Sequence, residues 1–149
     1  MAKVVAYGFG AGSGSTVADD SGNGRTLTLT SATYTASGHT GPGLTNTAGS
    51  SVGGQATVPA VTGTAVSLTA WIKPLDLTTN TQRFACGVVQ AGGSTDIGLF
   101  TQRGDFGTHN VLQANVRISG GLVAANGAAM TVGVWTHVAV TYDGSNIRL

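Results

Sequence analysis

Apolar and polar residues alternate along much of the chain with a period of two. Leu112, Ala114, Val116 and Ile118 alternate with Val111, Gln113, Asn115 and Arg117, which predicts a half-buried antiparallel strand with an apolar side and a mostly polar one. Val66, Leu68, Ala70 and Ile72 alternate in the same way with Ser67, Thr69, Trp71 and Lys73, and Val138, Val140 and Tyr142 alternate with His137, Ala139 and Thr141. Shorter strands are expected at residues 4–9, 26–30, 55–58, 83–89, 97–101 and 146–149. Turn signals separate them at Gly10-Ala11-Gly12-Ser13-Gly14, Ser21-Gly22-Asn23-Gly24, Gly41-Pro42-Gly43, Gly92-Gly93, Gly120-Gly121 and Asp143-Gly144. No segment keeps a helical period of 3.6 for three turns. About nine short strands punctuated by glycine predict an all-β fold, an antiparallel β-sandwich.

The chain has 149 residues, enough for one domain with one core, and neither an internal repeat nor a long linker marks a boundary. Only 9% of its residues are charged, against about 25% in an ordinary soluble domain. The formal net charge of +1 leaves no field strong enough to hold a nucleic-acid backbone or an anionic membrane. All six acids are aspartates, so chemistry that needs glutamate is excluded, including the HExxH zinc proteases and most glutamate-pair glycosidases. The single Cys86 forms no intrachain disulfide, and no Cys/His cluster has zinc spacing. No stretch approaches the roughly 18 apolar residues of a membrane span, and the first residues do not read as a secretory leader. A start at Met1-Ala2-Lys3 is equally what remains when a leader has been replaced.

Three segments carry a resemblance. Val5-Ala6-Tyr7-Gly8-Phe9 followed by residues Gly12 to Gly24, then Val66-Ser67-Leu68-Thr69-Ala70-Trp71-Ile72-Lys73-Pro74, then Gly133-Val134-Trp135-Thr136-His137-Val138-Ala139-Val140-Thr141-Tyr142-Asp143-Gly144-Ser145 together resemble the laminin-G-like, concanavalin A-like jelly-roll domains. The resemblance implies a concanavalin A-like jelly roll over residues 1–149, with His137 as a structural strand residue. Domains of that family usually continue through further strands, the last lying beside the first. The expectation is therefore either a fragment of a longer chain or an open first strand at residues 4–9 that a neighbouring molecule completes.

Catalysis has little support. The family's glucanases use a glutamate-rich strand, which is missing here, and no Gly-x-Ser-x-Gly elbow positions a serine nucleophile. Cys86 reads as a small buried hydrophobe, and His39 and His109 as loop residues. Calcium is the one cofactor suggested: Asp19, Asp20 and Asn23 place oxygen ligands within a glycine turn. The alternative is that Asp19 and Asn23 form Asx turns with their own backbone.

Glycan binding would use an aromatic platform with polar groups around it. Trp71, Lys73, Gln113, Asn115, Arg117, Trp135 and His137 all fall on the outward phase of their strands, and would line one face if those strands share a sheet. Equally, a loop over Trp71 and Trp135 would make them a second small core. A surface this poor in charge suits burial against other protein subunits, including copies of itself. Such a module fits a virion or an extracellular surface, as a structural decoration or adhesion component of a bacteriophage particle; a secreted or cell-surface lectin-like module is the alternative.

Overall fold

Twelve strands and no helix make up the described residues of the computed structural model, which are 3–46, 53–59, 65–77, 83–89, 95–101, 111–118 and 121–149. The expected turn at Gly92-Gly93 and the loop carrying His109 lie outside them. The strands are β1 (Thr16–Val17), β2 (Leu27–Leu29), β3 (Ala32–Thr35), β4 (Gly43–Asn46), β5 (Gly54–Gln55), β6 (Val66–Ile72), β7 (Arg83–Val89), β8 (Thr95–Thr101), β9 (Val111–Ile118), β10 (Gly121–Ala129), β11 (Thr136–Tyr142) and β12 (Ile147–Arg148). They fall into two compact units, Met1–Pro59 and Ala60–Leu149.

The second unit is a sandwich of two antiparallel sheets, one ordered β10-β9-β8-β7 and the other β12-β11-β6. Alternation decides which side chains meet between them. Ile97 and Leu99 of β8 and Leu112, Ala114 and Val116 of β9 form one inner face. Val138 and Val140 of β11, with Leu68, Ala70 and Ile72 of β6, form the other, and Leu77 and Met130 close the cluster. Cys86 and Val88 of β7 pack against the same core. Burial pushes the Cys86 thiol up to about 11, so it stays a neutral thiol at physiological pH, as its reading as a small core hydrophobe implies.

The central strands depart from the half-buried expectation. Alternation identifies the two sides of β9 correctly, yet Gln113 and Asn115 on its polar side are 2% and 4% exposed, as fully buried as the apolar residues of the same strand. Asp96 and Phe100 on β8 are buried as well. Both faces of these two strands are thus covered, and polar residues there are buried groups that need hydrogen bonds. Gln113 meets this need with its neighbour strand, its Nε2 donating to Asn126 Oδ1 at 3.1 Å.

The first unit is built differently. A three-stranded sheet, β1-β2-β5, and the hairpin β3-β4 have few buried apolar residues, Val17 and Ala32 among them. Backbone bonds tie the pieces together: Gly53 O accepts from the N–H groups of Thr30, Ser31 and Ala32, and Tyr34 donates its hydroxyl to Thr16 O.

The strand expected at residues 4–9 does not form. Its backbone groups bond to the loop at 19–25 in place of a ladder. Ala6 N–H donates to Asp19 Oδ1, Asp20 N–H to Ala6 O, and Asn23 Nδ2 and Arg25 Nη1 both donate to Val4 O. Phe9 then takes a left-handed φ of 57°, which no strand residue adopts. No open edge therefore exists at residues 4–9. At 55–58 only Gln55 joins a ladder, paired with Thr28.

Candidate functional site: the outer face of β6 and β11

Strands β6 and β11 pair along their whole length, with Trp71 opposite His137 and Ile72 opposite Thr136. Antiparallel partners project to the same side, so the inward turn of Leu68, Ala70, Val138 and Val140 sends Ser67, Thr69, Trp71 and His137 outward. The Trp71 and His137 rings lie 5.1 Å apart between centroids, with planes tilted by 53°, a favourable edge-to-face type of contact. One step further in the same register Lys73 meets Trp135. Its Nζ stands 5.4 Å from the centre of the Trp135 ring, within cation–π range.

A tight turn before β11 sets the end of this face. Val134 N–H donates to Thr131 O, and Gly133 N–H donates to Pro74 O at 2.8 Å, which fastens the turn to the end of β6. Gly133 occupies the third position with φ +76°, where a type II turn calls for a residue without a Cβ. The turn displays Val132 and Val134, both exposed, close to the exposed Leu75 that follows Pro74. Trp71 itself is 49% exposed, so it is not the centre of a second core.

At the far end of β11, Asp143 accepts from the N–H groups of Ser145 and Asn146 and pairs with Arg148 Nη1 at 2.6 Å. The Asn146 N–H, helped by Arg148 and the Ser145 N–H, holds its carboxyl well below the usual carboxylate range. Both ions are exposed, so the pair orders the turn and adds little stability.

Four of the seven expected platform residues therefore share one surface: Trp71, Lys73, Trp135 and His137. Gln113, Asn115 and Arg117 belong to β9 in the other sheet, and Gln113 and Asn115 are buried. Period-two counting placed each on the outward phase of its own strand but could not show that β9 lies in a different sheet from β6 and β11. The sequence reading missed Leu75, Val132 and Val134; the signal was there in the valines of Thr131-Val132-Gly133-Val134, apolar residues in a glycine turn.

The acidic loop has a different chemistry. Asp19 Oδ1 accepts from the N–H groups of Ala6 and Ser21, and Oδ2 from that of Arg25. Partial burial pushes the Asp19 pKa up, but the Ser21 hydroxyl and these three N–H groups outweigh it and hold the carboxyl well below the usual range. The Asn23 amide nitrogen donates to Lys3 O, Val4 O and Ser21 Oγ. N–H donors thus converge where a cation would need oxygen donors, and among the described residues no three His, Cys, Asp or Glu side chains converge on one point. This donor set suits a clasp between residues 3–6 and 19–25 and does not fit calcium. Excess calcium is expected to leave the thermal unfolding midpoint unchanged; a calcium-dependent rise would instead mark the loop as an ion site.

Residues 45–149 match the laminin-G model of the concanavalin A-like lectin/glucanases superfamily. The match covers all of the sandwich and leaves out the first of the three resembling segments, residues 5–24. No curated protein and no solved structure matches the chain significantly. Well over half of the chain lies within the match, and its two packed antiparallel sheets have the architecture the match requires: the chain belongs to the laminin-G-like group of the concanavalin A-like lectin/glucanases superfamily.

Proposed function

We propose that residues 1–149 act as one non-enzymatic docking module in a larger assembly, a structural decoration or adhesion component of the kind a bacteriophage particle carries, on a virion or extracellular surface. The observation that carries this reading is the outer face of β6 and β11 and the turn at its end, which together present exposed Trp71, Leu75, Val132 and Val134 along with the Lys73–Trp135 contact. An apolar surface with so little charge is suited to lasting contact with other protein subunits. Domains of this family are generally non-catalytic binding modules. No helix among the described residues is long and apolar enough to cross a membrane.

The second reading is a lectin-like module, favoured by the half-exposed Trp71 ring beside His137, an aromatic plate with a polar neighbour on which a sugar could stack. A glycan screen of the unaltered chain and of Trp71→Ala separates the two. Docking predicts no glycan held above background by either. A sugar that binds the unaltered chain and loses at least tenfold affinity in Trp71→Ala, with an unchanged unfolding midpoint, replaces docking by lectin activity. The variant is expected to fold, because a half-exposed ring forfeits far less than the about 3–5 kcal/mol of a buried one.

A further inference from the structure

Strand β10 ends its sheet in a way that few exposed strands do. Among the described residues it pairs with β9 on one side and with nothing on the other. Its side chains are exposed along nearly its whole length, with Leu122 49% and Val123 45% accessible. Edge strands are normally guarded by charge or proline. The edges β7 and β12 each include an arginine, and β6 is followed directly by Lys73. No Asp, Glu, Lys, Arg or Pro occurs anywhere between Arg117 and Asp143. The one guard is a bulge: the β9 register runs unbroken from Gly121 to Asn126 and then shifts before Ala129. A regular, uncharged edge remains over Gly121–Asn126, about the length of an ordinary strand.

We infer that β10 pairs antiparallel with β10 of a second copy of this chain, joining their four-stranded sheets into one continuous sheet about a two-fold axis at Val123. The absence of charge selects this occupant. Identical strands meet at a two-fold axis without like-charge repulsion, and the formal charge of +1 per chain adds little at longer range. A partner drawn in by charge would find nothing on β10 to hold.

Geometry then fixes the register. Two antiparallel strands share hydrogen bonds and keep matching faces only if the two-fold passes through a residue, because opposed residues must have the same parity. With the axis at Val123, Val123 faces its own copy, Leu122 faces Ala124 and Gly121 faces Ala125. All of these lie before the bulge, and the two exposed apolar side chains gain cross-strand apolar neighbours, a β-branched pair at the centre. This inference goes beyond the docking reading, since it concerns the other sheet, and either can fail alone.

The test is the solution mass of the 149-residue chain across a concentration series, with two variants. The unaltered chain is expected to associate to twice its 14.8 kDa mass. Val123→Lys sets two ammonium groups directly opposite each other and is expected to abolish the dimer at concentrations where the unaltered chain is dimeric, with the unfolding midpoint matching that of the unaltered chain at dilutions where both are monomeric. Val123→Cys is expected to form an interchain disulfide on mild oxidation, because opposed residues of an antiparallel pair lie within disulfide reach, while Ala128→Cys beyond the bulge is not. If Val123→Lys fails to fold, the cysteine pair decides. An unaltered chain that stays monomeric at every concentration overturns the inference and leaves docking through β6 and β11 standing. A dimer that persists in Val123→Lys, or one that Val123→Cys does not cross-link, also overturns it.

Discussion

Replacing Leu99 by alanine is expected to destabilise the sandwich by about 2–5 kcal/mol, the range for a large aliphatic side chain removed from a packed core. Leu99 has 0% of its surface exposed and lies in the middle of the apolar cluster between the sheets. Its partners on the neighbouring strands are Cys86 of β7 and Ala114 of β9, both small and both held by ladder bonds. Neither can swing into the space, so the effect should fall toward the upper end of that range. In urea the midpoint should drop with the slope unchanged, since the same surface is exposed on unfolding. Leu122→Ala, on the exposed edge, serves as the comparison and should cost under about 1 kcal/mol. Equal midpoints for the two variants would mean that the two sheets do not enclose the core described above.

The second large effect is expected in the first unit, from Gly38→Ala. A Cβ at Gly38 would collide with Gly41 O and stand 2.7 Å from the carbonyl carbon and oxygen of Pro42. These are backbone atoms of a closed turn, so no rotamer change relieves the contact and the segment 38–43 must open. Overpacking of this kind costs about 1–3 kcal/mol or more. Gly10→Ala is the control: nothing lies within 4 Å of its added Cβ, and its backbone is not left-handed. Melting curves of the two variants side by side check the prediction, and a Gly38→Ala curve that overlays that of Gly10→Ala would falsify it.

Strand positions were legible where one face is buried and the other open. In β6 and β11 the alternation is strict because Leu68, Ala70, Val138 and Val140 face a core while Thr69, Trp71 and His137 face outward, and both were located to within a residue. At β10 the same logic breaks down. An edge strand exposed on both faces needs no alternation, and Leu122-Val123-Ala124-Ala125 has none, so its first residues read as a turn at Gly120-Gly121. The hairpin of β3 and β4 was missed for a similar reason, as Ala32-Thr33-Tyr34-Thr35 mixes small and polar residues. Residues 4–9 misled in the opposite direction. Their apolar content is strand-like, but side chains at 19–25 capture the backbone groups that a ladder would use. The candidate surface was half legible: period two put Trp71 and His137 on the same phase as Gln113 and Asn115, and only the pairing of β6 with β11 separates them.

The pairing of β6 with β11 also sets a schedule for the chain's maturation. Val66 is opposite Tyr142 and Ile72 opposite Thr136, so one of the two sheets is joined by residues from opposite ends of the sandwich's sequence. Ribosomes add about 5–20 residues per second, and β6 must wait several seconds for its partner to be made. Closing so long a loop before any contact stabilises it makes this a late event in folding. Until then the backbone N–H and C=O groups that β6 later shares with β11 have no ladder partner, an open strand edge exposed to other nascent copies.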